Sequence, residues 1–158
     1  MDHVNISPED RDLLARLADL RLTLLRFERA SDAIVRRCGI TPRQHLLLLT
    51  LEGRHQGEAS IGTLSDELGL AQSTVTELAD RSEAKGIVQR ATSQRDGRVV
   101  LVGTTAEGRR RLALALAELE VERELLGTAL DRIAAVLPAT QPATDAWPRT
   151  RTTTADDR

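Results

Sequence analysis

Apolar residues recur at helical spacing in the first forty residues of the chain. The intervals of four, three, four, three and seven residues predict a helix with one apolar face, formed by Leu13, Leu17, Leu20, Leu24, Phe27 and Ile34. Ser7 and Pro8 suit its start, and Gly39 suits its end. Thr41-Pro42 then predicts a second helix that ends at Gly53.

A matching apolar seam lies at the other end of the chain. It consists of Leu112, Leu116, Leu119, Leu126, Leu130, Ile133 and Leu137, with Arg123 in one slot. Gly127 inside this pattern predicts a bend or a break into two helices. Two seams of this length carry more apolar surface than one small domain can bury within itself. We therefore interpret the terminal helices as a dimer interface. Pairing of the two helices within one chain is the alternative.

The middle of the chain carries a helix-turn-helix pattern. Ser60 suits the cap of a short helix with Ile61, Leu64 and Leu68 inward, and Gly69 ends it. A second helix follows with Val75, Leu78 and Ala79 inward. Its first turns carry small polar side chains of the kind that approach phosphates and base edges in a major groove, namely Gln72, Ser73, Thr74 and Thr76.

A β-hairpin is predicted directly after this second helix. Gly86 ends the helix, a strand begins at Ile87, and Arg95-Asp96-Gly97-Arg98 forms a turn before Val99–Val102. Such a hairpin is a wing, and Arg95 and Arg98 at its tip suit the enhanced negative potential of a narrow minor groove. We expect Asp96 to orient Arg98 through a charge-assisted hydrogen bond.

Composition and charge narrow the classes of function. The 158 residues suit one ordinary domain, and 41% apolar content is enough for a core. Aromatic content of 1% favours helix packing and argues against base stacking on single strands. The net charge of −2 conceals eight basic and three acidic side chains in residues 81–111, beside four acidic and no basic ones in residues 59–80. The basic segment is a modest indication of a polyanion partner.

Several other classes are disfavoured by what the sequence lacks. The polar start MDHVNISPEDRD does not resemble a signal peptide, and no apolar run is long enough to span a membrane. The single cysteine, Cys38, has no internal disulfide partner, so a cytoplasmic location is expected. No catalytic constellation or metal-ligand spacing is present, and we expect neither an enzyme nor a cofactor.

The order of these elements resembles the MarR (multiple antibiotic resistance regulator) family of winged-helix transcription factors. The resemblance covers about residues 8–137 and is carried by Gln72-Ser-Thr-Val-Thr76, Glu83-Ala-Lys-Gly-Ile87, Asp96-Gly-Arg98 and Thr105-Ala-Glu-Gly108. Glu77, Ser82 and Thr104 stand where the family usually has a cation, a leucine and a leucine.

The resemblance implies a mainly α, winged helix-turn-helix fold whose long N- and C-terminal helices form a dimerisation domain. Residues 1–40 and 106–137 are then dimerisation helices, residues 41–105 the DNA-binding domain and residues 138–158 a disordered tail. The implied function is a homodimeric repressor of a pseudo-palindromic operator in double-stranded DNA, released by a small-molecule effector. By residue match, the DNA contacts fall on Gln72, Ser73, Thr74, Thr76, Arg81, Arg95 and Arg98.

Two other functions stay open. The acidic stretch around Glu77 favours a winged-helix module that binds a protein instead of DNA. Cys38, beside Arg36 and Arg37, allows a redox-responsive regulator, although an inert buried thiol is the stronger interpretation. His45 lies on the second helix near the family's effector cleft, where a packed or surface histidine is the commoner role.

Overall fold

The computed structural model describes residues 6–94 and 96–134. Over these residues the element order is α1 (Pro8–Arg37), α2 (Pro42–His55), β1 (Glu58–Ser60), α3 (Ile61–Leu68), α4 (Gln72–Ala84), β2 (Val88–Thr92), β3 (Val100–Thr104), α5 (Ala106–Glu118) and α6 (Glu120–Ala134). The mainly α class with a helix-turn-helix and a wing is confirmed. The expected tail, residues 138–158, lies outside the described residues.

Helix α1 begins and ends where the sequence predicts. The Ser7 hydroxyl oxygen accepts from the Asp10 backbone N–H at 3.0 Å, while the Asp10 carboxylate accepts from the Ser7 N–H at 3.2 Å. This reciprocal capping box satisfies backbone donors of the first turn that have no partner within the helix. At the other end Gly39 adopts φ +78°, the left-handed conformation that glycine tolerates after a helix.

Helix α2 is longer than predicted. It continues through Gly53 to His55, and the chain reverses at Gln56 and Gly57, which have φ +54° and +97°. The Gly57 N–H donates to the Leu51 carbonyl oxygen at 2.8 Å and closes this end of the helix. The expected end at Gly53 is therefore wrong, because the glycine with left-handed backbone is Gly57.

The wing belongs to a three-stranded antiparallel sheet in the order β1-β3-β2. Residue Val102 at the centre of β3 pairs with Ala59 on one side and Arg90 on the other. The strand β1 was not predicted, since three residues are too few to show alternation. It joins the start of the helix-turn-helix to the wing strand farther along the chain.

The described chain divides into two compact units, one formed by residues 6–42 and 111–134 and the other by residues 43–110. The second unit holds a continuous set of buried apolar residues from every element between α2 and β3. These are Leu47, Leu48, Leu51, Ala59, Leu64, Val75, Leu78, Ala79, Ile87, Val88 and Val102.

In the first unit α1 contacts α6, as the alternative of pairing within one chain expected. Many large apolar side chains of the two terminal helices nevertheless stay exposed, both on the predicted seams and beside them. They are Leu13, Leu14, Leu17, Leu22, Leu24 and Leu25 of α1 and Val121, Leu125 and Leu130 of α6. The interruption between α5 and α6 falls at Leu119 and not at Gly127, which lies inside α6. There the Arg123 guanidinium donates to the Leu116 carbonyl oxygen at 2.8 Å and stabilises the break.

Candidate nucleic-acid interface

The turn between α3 and α4 is fixed by short-range hydrogen bonds. The Ser60 hydroxyl oxygen accepts from the Thr63 N–H at 3.0 Å and caps α3, as predicted. Gly69 ends α3 with φ +63°, and the Ser65 hydroxyl donates to the Leu70 carbonyl oxygen at 2.6 Å. These contacts hold the turn that presents the first residues of α4.

One face of helix α4 is buried against the rest of its unit, and the opposite face is exposed to solvent. Val75, Leu78, Ala79 and Ser82 are buried, as expected for the first three. The predicted contact residues Gln72, Ser73 and Thr76 are exposed, and Thr74 is half-buried. The Thr76 hydroxyl donates to the Gln72 carbonyl oxygen at 2.8 Å, which leaves its oxygen lone pairs and its methyl group for an outside partner.

Arg81 and Glu77 form an exposed pair on the outer face of the same helix. Arg81 Nη2 lies 3.5 Å from Glu77 Oε2, and Arg81 Nε donates to the Glu77 carbonyl oxygen at 3.2 Å. The guanidinium predicted to bind a phosphate is thus directed back along α4. Because exposed i, i+4 pairs contribute only about 0.3–0.5 kcal/mol, this contact is easily exchanged for a phosphate.

Strand β2 ends at Thr92 and β3 begins at Val100, so the connection is longer than a two-residue Asp-Gly hairpin. The Val99 N–H donates to the Asp96 carbonyl oxygen at 3.0 Å and closes a turn one residue later than the predicted one. Asp96 Oδ1 accepts from the backbone N–H of Arg98 at 3.0 Å. The expected contact between Asp96 and Arg98 is therefore made to the main chain, and the exposed Arg98 guanidinium stays available. Arg95 lies outside the described residues.

Two of the departures from the family pattern have different consequences. Ser82 is fully buried, but its hydroxyl donates to the Leu78 carbonyl oxygen at 2.7 Å, so the core accommodates it. The Thr104 hydroxyl is also buried and has no hydrogen-bond partner among the described residues. An unpartnered buried hydroxyl costs about 1–3 kcal/mol, so Thr104 weakens this unit.

Thr105 and Gly108, in the Thr-Ala-Glu-Gly segment after the wing, connect the start of α5 to the end of α4. The Thr105 hydroxyl donates to the Gly86 carbonyl oxygen at 2.6 Å and accepts from the Gly108 N–H at 3.1 Å. A Cβ on Gly108 would overlap the Ile87 carbonyl oxygen. Thr105 thus ties the start of α5 to the end of α4, and glycine is needed for the close approach.

A cluster of charged side chains that was not predicted from the sequence lies where β2 meets α4. The Arg90 guanidinium donates to Glu83 Oε2 at 2.8 Å and also to Asp80 Oδ1, and the Arg90 backbone N–H donates to Glu83 Oε1 at 2.9 Å. These bonds lower the pKa of Glu83 and raise the pKa of Arg90 from their ordinary values. The spacing of Asp80 and Glu83, one helical turn apart, was the available signal.

The remaining candidate side chains lie inside the protein. Cys38 is a free, buried thiol, as an inert cysteine would be. His45 is buried, its Nε2 has no hydrogen-bond partner among the described residues, and burial lowers its pKa below the ordinary value. Within residues 6–94 and 96–134, no group of three potential metal ligands comes together, and no helix has the length and hydropathy needed to cross a membrane.

Helix-turn-helix, three-stranded sheet and wing together define a winged-helix protein. Residues 39–99 match the sequence model of the MarR family, the family that the sequence resembles. The HTH-type transcriptional repressor MdtR of Bacillus subtilis is 31% identical over 70 residues, and the match spans 44% of each chain.

Solved structures share the same fold over a larger part of the chain. The YusO protein of Bacillus subtilis matches with a TM-score of 0.61 and 22% identity over 83% of this chain and 99% of its own. A mutant of MarR from E. coli complexed with operator DNA matches with a TM-score of 0.62 and 22% identity over 79% of this chain and 94% of its own. At this identity the likeness establishes the fold.

Proposed function

We propose that the chain is a transcriptional regulator that binds double-stranded DNA as a homodimer on a pseudo-palindromic operator. The observation that carries the proposal is the outer face of α4, whose first turns expose Gln72, Ser73 and Thr76 while the inner face is fully packed. The wing lies in the same compact unit as this helix. A packed helix with a polar, protruding start is what insertion into a major groove requires.

The proposed DNA contacts fall into three groups according to the chemistry of the side chains: contacts in the major groove, a phosphate contact and contacts in the minor groove. Gln72, Ser73, Thr74 and Thr76 of α4 are proposed to meet base edges and phosphates in the major groove. Arg81 is proposed to exchange its exposed contact with Glu77 for a phosphate. Arg95 and Arg98 are proposed to enter the adjacent minor groove, with Asp96 shaping the main chain at Arg98.

The homodimer is supported by the exposed apolar side chains of α1 and α6. Monomeric proteins rarely leave contiguous apolar patches of this kind in water. The seams border a mostly apolar groove of about 260 Å³ between the two helices, lined by Thr23, Arg26, Phe27, Ala30, Glu122, Leu125 and Leu126. A second copy of the same helices supplies the apolar surface that would cover this face.

Repression and release by a small molecule are the finer part of the proposal. Support for repression comes from the similarity to MdtR, a transcriptional repressor, and from the operator complex of MarR. We propose an effector that is phenolic or anionic. A thermal-shift screen of such metabolites tests this part, because a ligand that binds the folded state raises the unfolding temperature.

DNA from beside the protein's own gene provides the direct test of binding. Fluorescence anisotropy at physiological salt should give specific binding, and Arg98→Ala should weaken it by about 1–3 kcal/mol and flatten the salt dependence. Arg110→Ala is the matched control, since Arg110 is an exposed arginine outside the wing that pairs with Glu107. Equal losses from both substitutions would remove the wing from the mechanism.

A protein-binding winged helix is the second candidate function. It is favoured by the exposed carboxylate of Glu77 on the outer face of α4, which repels phosphate unless it accepts from a cytosine amine. Saturation of DNA only at non-specific micromolar concentrations would support this candidate. Specific binding that is retained at physiological salt would support the regulator.

A further inference from the structure

The root of the wing is held to α4 by one side chain that contacts two carboxylates. Arg90 is the third residue of β2, and α4 packs against this strand. Its Nε donates to Glu83 Oε2 at 2.8 Å and its Nη1 donates to Asp80 Oδ1. A third bond, from the Arg90 backbone N–H to Glu83 Oε1 at 2.9 Å, joins the strand itself to the same carboxylate.

The geometry of these bonds needs arginine. Asp80 and Glu83 are three residues apart on α4 and therefore lie on one face of the helix. A guanidinium offers several donors in a rigid plane and engages two acceptors at once, whereas a lysine ammonium acts as a single point charge. A glutamate and an arginine are ordinarily both charged at neutral pH, and these bonds lower the pKa of Glu83 and raise the pKa of Arg90 further.

Arg90 differs in this respect from the arginine at the wing tip. The Arg98 side chain is exposed and makes no hydrogen bond or ion pair with the described residues, while Arg90 is engaged by α4. The positive charge of Arg90 also offsets Asp80 and Glu83, which would otherwise stand uncompensated on the recognition helix. Strand β2 leads directly into the loop that carries Arg98, so the direction of β2 sets the position of the wing tip.

From this arrangement we infer that Arg90 is a positioning residue, which fixes the wing on the recognition helix through Glu83 and Asp80 and does not itself bind DNA. The inference rests on the proposed function for its effect on DNA affinity. Its structural part, a wing held by this cluster, stands without DNA.

The substitution Glu83→Ala separates positioning from DNA binding by the sign of its effect. Removal of a negative charge from a DNA-facing helix should tighten binding if Arg90 is a phosphate ligand, because Arg90 is then released. If Arg90 positions the wing, Glu83→Ala should weaken specific binding about tenfold, and Arg90→Ala should weaken it by a similar factor. The double variant should be no weaker than either single variant.

Glu107→Ala is the matched control. Glu107 is also a carboxylate held by two guanidinium bonds, from Arg110 at 2.7 and 2.8 Å, but it lies on α5. We expect DNA affinity within about twofold of the unsubstituted protein for this variant, since surface ion pairs contribute little by themselves. All variants are compared at a temperature at which circular dichroism shows them folded.

Footprinting provides a readout that a loss of stability would not change. In Glu83→Ala and Arg90→Ala, protection of the minor groove by the wing should be lost, while protection of the major groove by α4 is kept. A uniformly weaker footprint with both regions protected would overturn the positioning role. So would binding of Glu83→Ala that equals or exceeds that of the unsubstituted protein.

Hydrogen exchange tests the same inference without DNA. Amides in residues 88–104 should exchange faster in Glu83→Ala and Arg90→Ala, and at the unchanged rate in Glu107→Ala. Unchanged exchange in both cluster variants would overturn the inference even if the protein bound no DNA. Faster exchange together with no specific binding by the unsubstituted protein would leave the positioning intact and refute the proposed function.

Discussion

The two compact units differ in how many of their large apolar side chains are exposed. The unit of residues 43–110 exposes Leu46, Leu49 and Val100 but fully buries a core that includes Leu47, Leu48, Leu51 and Leu64. In residues 6–42 and 111–134, Leu17 and Leu24 are 41% and 38% exposed. The unit that contains α1 and α6 therefore leaves more of its large apolar side chains in contact with solvent than the unit of residues 43–110 does. The proposed DNA contacts and the proposed dimer contacts therefore fall in different units.

The largest expected effect comes from a charge placed on the exposed seam. Leu17→Glu should raise the dissociation constant of the dimer by about 1,000-fold, equal to about 4 kcal/mol. A carboxylate buried without a partner is costly, and a symmetric dimer carries the change twice. Light scattering at micromolar concentration should show a monomer.

Val100→Glu is the control for this substitution, because Val100 is a comparably exposed apolar residue on β3. It should leave the molecular mass unchanged. A Leu17→Glu chain that keeps the mass of a dimer would show that α1 is not part of the interface.

The unit of residues 43–110 should be destabilised by a methyl group added at Gly108, where two backbone segments lie very close together. Gly108→Ala should lower the free energy of unfolding by about 3 kcal/mol, because the new methyl group overlaps the Ile87 carbonyl oxygen. Gly53→Ala, in open space on α2, should instead raise it by about 0.5–1 kcal/mol. Urea unfolding measures both, and equal effects at the two glycines would contradict this account of the packing.

The same unit should gain stability when its unpartnered hydroxyl is removed. Thr104→Val keeps the side-chain shape and eliminates the buried Thr104 Oγ1, so the free energy of unfolding should rise by about 1 kcal/mol. Ser82→Ala is the comparison, since that hydroxyl is bonded to Leu78. If Thr104→Val destabilises the protein, the hydroxyl has a partner that this account lacks.

The smallest expected effect is on the pH dependence of stability. Burial lowers the pKa of His45 below 6.5, so the unfolded chain binds a proton at a higher pH than the folded one. Stability should therefore be complete above pH 6.5 and fall as the pH decreases through the folded pKa. His45→Gln should remove this decline between pH 7.5 and 5.5 in urea unfolding. An identical decline in the variant would assign it to another group.

Local signals made much of the fold predictable from the sequence. Ser7-Pro8 and Gly39 mark the ends of α1 because capping depends on neighbouring residues alone. Gly69 and the spacing of Val75, Leu78 and Ala79 predicted the helix-turn-helix for the same reason. The packed face of α4 also implied which polar side chains would point outward.

Features that depend on distant contacts were not predictable. The break at Leu119 is stabilised by the guanidinium of Arg123, which in the sequence only interrupts an apolar pattern. Strand β1 exists because β3, forty residues later, pairs with it. The contact of Arg90 with Asp80 and Glu83 joins a strand to a helix, and the spacing of the two carboxylates on the helix does not by itself identify the cation that binds them.

Hydroxyl-radical footprinting of the full chain on its operator, at physiological salt and with the stoichiometry measured, tests directly whether the protein binds DNA as a homodimer. We expect two chains for each duplex and a twofold-symmetric footprint whose half-sites lie about one helical turn apart. A single chain for each duplex, or binding without a discrete footprint, would contradict it.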